Sequence, residues 1–85
     1  MRNICFTAIA FEQYNEWPTT DKTVFKRLNK LILDTAKNPF VGIGKPEPLK
    51  NELKGYWSKR ITEEHRLVYR VDDTTLYIVG CKYHY

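Results

Sequence analysis

Arg66-Leu67-Val68-Tyr69-Arg70-Val71-Asp72-Asp73-Thr74-Thr75-Leu76-Tyr77-Ile78-Val79-Gly80-Cys81-Lys82-Tyr83-His84-Tyr85 is the stretch that decides the fold. Two β-branched and aromatic runs flank an Asp-Asp-Thr turn, which reads as an antiparallel hairpin. A loop of Asp72 to Thr74 pairs Val71 with Thr75 and Leu67 with Val79. On that register Leu67, Tyr69 and Val71 share a core-facing side with Tyr77, Val79, Cys81 and Tyr83. Arg66, Val68 and Arg70 share the opposite side with Lys82 and His84. Upstream, Tyr56 to Ile61 reads as another strand, joined through Thr62-Glu63-Glu64. That turn sets Arg60 across from Arg66. Like charges placed opposite each other are destabilising, unless an anion or carboxylate lies between them.

Working toward the N-terminus, Gly42-Ile43-Gly44-Lys45-Pro46-Glu47-Pro48-Leu49 is a broken loop. Its two prolines hold Glu47 near extended geometry, and a short strand is expected to begin at Leu49. Val24, Leu28, Leu31, Ile32 and Thr35 recur at helical spacing, with lysines on the other faces, until Asn38-Pro39 ends the helix. Thr20 is its expected N-cap, with Asp21 in the first turn. A preceding helix is expected from a Thr7 cap to a stop before Pro18, with Phe11, Tyr14 and Trp17 along one face. Residues Ile4 to Thr7 read as the first strand. The order is β-α-α-β-β-β-β, an α+β fold with two N-terminal helices on one face of an antiparallel sheet.

The 85 residues suit one domain, 1–85, with a single core. Fourteen basic residues stand against 10 acidic ones, a net charge of +4, so the expected partners are anionic. Cys5 and Cys81 show no metal-binding spacing and are expected to be reduced, buried small hydrophobes. No apolar signal core or membrane-length run is present, and a cytoplasmic location is expected.

His84 is the leading candidate general acid, because imidazole exchanges protons near neutral pH. Its competing role is a histidine packed at a strand end. Glu47, fixed in direction by Pro46 and Pro48, reads either as a general base or as a solvated loop carboxylate. Arg60 and Arg66 suit a phosphate clamp, or else an exposed strand face paired with Glu63 and Glu64. Lys45, Lys50, Lys54 and Lys59 add to the positive field. Tyr56, Trp57, Tyr83 and Tyr85 offer rings for stacking on bases, and Trp57 and Tyr83 fit the core equally well. His65 reads as a turn-edge histidine beside Glu64, pointing away from Arg66. Base, acid and clamp together suit RNA cleavage without metal or other cofactor, by attack of a 2′-hydroxyl on the adjacent phosphate.

Asn38-Pro39-Phe40, Gly44-Lys45-Pro46-Glu47-Pro48-Leu49-Lys50, the run Trp57 to Tyr69 and Cys81-Lys82-Tyr83-His84-Tyr85 closely resemble the YoeB toxins of the RelE superfamily. The resemblance implies a microbial-RNase-like fold and a toxin of a type II toxin–antitoxin system that cuts mRNA in the ribosomal A site. It also implies a homodimer, neutralised by a YefM-type antitoxin in 2:1 or 2:2 complexes, with operator DNA reached only through the antitoxin and no membrane partner. The family's base falls on Glu47, its transition-state arginine on Arg66 and its acid on His84. Supporting roles fall on Lys50, Arg60, Glu64 and Tyr85. Lys59 stands where the family often has arginine. Two competitors stay open: a basic module that poisons its target by occupancy, as ParE proteins do, and a degenerate toxin kept as a corepressor.

Overall fold

A computed structural model describes residues 1–83 of the chain. Strand β1 (Asn3–Phe6) leads into helices α1 (Ala8–Thr20) and α2 (Lys22–Lys37). Strands β2 (Glu47–Pro48), β3 (Trp57–Arg60), β4 (Arg66–Val71) and β5 (Thr75–Gly80) follow, with a 3-10 turn at Asn51–Leu53. The sheet order is β1-β5-β4-β3-β2. All neighbours are antiparallel except β1 and β5, which run parallel, so the expected antiparallel sheet is mixed at one edge.

Helix α1 starts where expected, with Thr7 Oγ1 accepting from the Ala10 N–H at 3.2 Å. It does not stop before Pro18. Proline removes one helical hydrogen bond and crowds the preceding turn, but the Thr20 hydroxyl donates to the Glu16 carbonyl at 2.9 Å and the Asp21 N–H closes on the Trp17 carbonyl. The buried stripe is Ala10 and Trp17 with Tyr14 partly covered, spaced at i, i+4 and i+7; Phe11 falls off that stripe and is 52% exposed. Asp21, not Thr20, caps α2: its Oδ1 accepts from the N–H groups of Thr23 and Val24 at 3.0 and 3.1 Å. Such a cap contributes about 1 kcal/mol. Leu28, Leu31, Ile32, Thr35 and Ala36 form the buried face of α2 and pack on the sheet with Ile61, Leu67, Tyr69, Leu76 and Ile78.

The β3–β4 pairing is as expected, with Arg60 opposite Arg66. Thr62 Oγ1 accepts from the N–H groups of Glu64 and His65, which fixes the turn. The β4–β5 register differs from expectation by one residue at the turn, since Val71 pairs with Leu76. Asp72 Oδ1 accepts from the N–H groups of Thr74 and Thr75, at 2.9 and 2.8 Å, which draws Thr75 into the loop. Leu76 and Ile78 therefore face the helices, in place of Tyr77 and Val79. Tyr77 lies on the other side beneath the Arg70 guanidinium, 4.0 Å from its ring centroid. A bulge between Val68 and Tyr69 then restores the original parity, and Cys81 is buried as expected. Tyr83 is 59% exposed rather than part of the core, and Lys82 pairs with Glu16 of α1 at 3.1 Å. Cys5 is exposed on β1, against expectation; both thiols are free. No helix among the described residues is long and apolar enough to cross a membrane.

Candidate active site

Glu47 lies in β2, not ahead of a strand starting at Leu49, and its extended backbone is the one its flanking prolines favour. It pairs with Ser58 of β3, which in turn pairs with Val68 of β4. Two residues further along β3, Arg60 pairs with Arg66. Alternation places Ser58, Arg60 and Arg66 on the sheet side away from the helices. From there the Arg66 side chain reaches diagonally back across β3. Its Nη1 stands 3.3 Å from Ser58 Oγ and 3.5 Å from Glu47 Oε1.

The two charged groups differ in environment. The Arg66 side chain is 24% exposed and that of Glu47 60%. An open pair at this distance stabilises the fold by about 1 kcal/mol at most. Its consequence is directional: Arg66 is oriented without being saturated, and its guanidinium keeps donors for an incoming anion. Arg66 is anchored through its backbone as well, because its N–H donates to the Tyr83 carbonyl at 2.8 Å. His84, the expected acid, and Tyr85 lie outside the described residues.

The frame of the site depends on the loop that delivers Glu47. The Lys59 ammonium is fully buried and donates to Asp34 Oδ2 at 3.3 Å, the Asn38 carbonyl at 3.0 Å and the Val41 carbonyl at 2.9 Å. The Ile43 N–H donates to the same Asp34 oxygen. Burial lowers the Lys59 pKa from its ordinary value, and the bond and charge of Asp34 oppose that shift. Gly42 sits at φ +95°, where an added Cβ would run into the Asp34 carboxylate. Further on, the Arg60 N–H donates to the Gly44 carbonyl at 2.6 Å. These bonds fix the path into Lys45, Pro46 and Glu47. Residues 6–85 match the model of the YoeB-like toxin of the bacterial type II toxin–antitoxin system.

The chain belongs to the YoeB toxin family. Toxin YoeB of Escherichia coli strain K12 is 57% identical over 76 residues, which cover 89% of this chain and 90% of that one. A structure of the YoeB dimer from Staphylococcus aureus is similar at a TM-score of 0.91 and 49% identity, over 99% of this chain and 98% of its own. The YoeB–YefM complex from Staphylococcus aureus gives 0.89 and 48%, over 100% and 99%. The two-helix, mixed-sheet architecture is that of the family.

Within this YoeB-family chain the expected site residues separate into groups. Glu47 and Arg66 come together, with Arg60 beside them on the same side of the sheet. Lys45, Lys50 and Lys54 are exposed on the segments flanking β2. Glu64 is exposed, with Oε1 3.6 Å from His65 Nε2. Lys59, expected among the phosphate ligands, points to the helical side and spends its donors within the fold; its place is under the loop. Trp57 packs its ring 4.7 Å from that of Phe40. Ser58 was not singled out from sequence, although its alternation with Arg60 supplied the signal once Arg60 and Arg66 were paired. Asp34 carried no such signal, since its partner comes from a strand 25 residues away.

Proposed function

We propose that this chain is an endoribonuclease that cuts mRNA in the ribosomal A site and is neutralised by a YefM-type antitoxin. The carrying observation is the meeting of Glu47 and Arg66, 3.5 Å apart and open to solvent, in a YoeB-family chain. An incoming phosphate competes for the Arg66 guanidinium, whose planar fork matches phosphate oxygens. Displaced from Arg66, the Glu47 carboxylate is free to take the proton of the 2′-hydroxyl. The 2′-oxygen then bonds to the adjacent phosphorus, and Arg66, with Arg60 nearby, offsets the charge gathering on the phosphorane oxygens. As the bond to the 5′-oxygen breaks, His84 supplies the proton that oxygen needs. The products are a 2′,3′-cyclic phosphate and a 5′-hydroxyl. No step requires a metal ion or other cofactor.

Lys45, Lys50 and Lys54 supply the sequence-independent attraction that draws RNA to this side. The ribosome, by this reading, holds the message in the strained geometry that in-line attack requires. Relatives of 48–49% identity are structures of a YoeB dimer and of a YoeB–YefM complex, and we assign a homodimer and an antitoxin partner to this chain on that likeness. Its place of action is the bacterial cytoplasm, where its target is.

The test is primer extension on ribosomes programmed with a defined message. Wild-type protein is expected to produce discrete A-site ends, and Glu47→Gln and His84→Gln variants to produce none while remaining folded. A 2′-deoxy substitution at the cut nucleotide is expected to block cleavage. Full toxicity of both folded variants would overturn the nuclease reading in favour of a toxin acting by occupancy.

A further inference from the structure

Tyr83, the residue before His84 in the sequence, is held through both of its backbone polar groups. The Tyr83 N–H donates to His65 Nδ1 at 2.7 Å, and the Tyr83 carbonyl accepts from the Arg66 N–H at 2.8 Å. Tyr83 adopts φ +59°, a left-handed conformation that a non-glycine residue keeps only when its surroundings hold it there. His65 is itself fixed. Its side chain is 12% exposed, and its ring meets that of Trp17 edge-on, with centroids 4.8 Å apart. A ring nitrogen that accepts from an N–H carries no proton. The imidazole is therefore the neutral Nε2–H form, with that nitrogen 3.6 Å from Glu64 Oε1.

The preceding residues are tied to α1. The Cys81 N–H donates to Gln13 Oε1 at 2.8 Å, Trp17 Nε1 donates to the Cys81 carbonyl at 3.0 Å, and Lys82 pairs with Glu16. Three successive residues are thus strapped down, and only the last is held by a side chain of the turn adjoining Arg66. We propose that His65 is a positioning residue: through Nδ1 it holds the backbone of Tyr83, the residue before the expected acid, and the rate of the cleavage step depends on that hold. Glu64 contributes by favouring the tautomer that leaves Nδ1 free to accept. The inference rests on the nuclease reading above and adds to it a residue that touches neither substrate nor reacting atoms.

Two variants separate the acceptor from the ring. His65→Phe keeps a ring against Trp17 and removes the acceptor, whereas His65→Asn keeps an acceptor at the Nδ1 position and removes the ring. Each is assayed for single-turnover cleavage of ribosome-bound message, for half-saturating ribosome concentration and for hydrogen exchange of the Tyr83 amide. His65→Phe is expected to slow cleavage by about tenfold to a hundredfold at unchanged half-saturation, with faster Tyr83 exchange. His65→Asn is expected to restore both the rate and the protection, even at a lower melting temperature. If His65→Phe cuts at the wild-type rate, or His65→Asn is as slow as His65→Phe, the proposal is overturned while the nuclease reading stands. If wild-type protein cuts nothing, the nuclease reading falls and this inference falls with it.

Discussion

Glu47 and Arg66 come from opposite ends of a three-strand relay, yet their carboxylate and guanidinium meet 3.5 Å apart across Ser58. Neither residue is next to the other in the sheet. The contact exists because Arg66 extends diagonally over β3, with the Ser58 hydroxyl 3.3 Å from the same Nη1.

Ser58→Ala removes that waypoint. Ser58 is 1% exposed, so its hydroxyl is committed to Arg66 and not to water. Stability is expected to fall by about 1 kcal/mol, and the single-turnover cleavage rate by about tenfold as Arg66 loses its orientation. Chemical denaturation and ribosome cleavage assays measure the two effects. A rate within twofold of wild type would show that Glu47 alone orients the guanidinium.

Removal of His84 and Tyr85 separates catalysis from folding. Loss of the expected acid is predicted to abolish cleavage, whereas the described bonds of Cys81, Lys82 and Tyr83 are retained. The melting temperature of the shortened chain should stay close to that of wild type. Retained cleavage at the same positions would remove His84 from the mechanism.

Lys59→Met tests whether this lysine serves RNA or the fold. The substitution leaves Asp34 and the carbonyls of Asn38 and Val41 without their shared donor. A cost of about 2–4 kcal/mol is expected, well beyond the roughly 0.5 kcal/mol of a surface replacement. Urea midpoints give the value. An unchanged midpoint with weakened RNA binding would return Lys59 to the phosphate ligands.

Alkaline stability follows from Cys81. Burial, assisted by the charge of Glu16, raises its thiol from 9.0 to about 12. Above pH 9 the unfolded chain loses this proton while the folded chain keeps it, so stability falls as pH rises. The slope approaches about 1.4 kcal/mol per pH unit between 10 and 12. Tyr69, raised by burial, acts in the same direction from its ordinary value of 10.0 upward. Lys59, lowered by burial, acts in the opposite direction below 10.5. Cys81→Ala is expected to lower stability at neutral pH and to flatten its decline from pH 9 to 10. An unaltered slope in urea titrations would contradict the assignment.

What the sequence determined by itself was local. The limits of β4, the Thr62 turn and the pairing of Arg60 with Arg66 were legible because a hydroxyl-capped turn and β-branched alternation set them within a few residues. The apolar stripe of α2 was legible for the same reason, since helical spacing needs no partner to be read. The β4–β5 register was not, because the Asp72 side chain lengthened the loop by one residue and a bulge between Val68 and Tyr69 then shifted the pairing by one more, which restored only the facing parity. Chain order is silent on both. Nor did it reveal that β5 is flanked by the first strand of the chain, or that Lys59 would bury its charge against α2. Glu47 and Arg66 were each recognisable as chemistry, but their meeting was decided by sheet order, which sets β2 beside β3 and lets one long side chain span the gap. Local backbone preferences wrote the elements; distance across the packed sheet, which no spacing in the chain encodes, wrote the site.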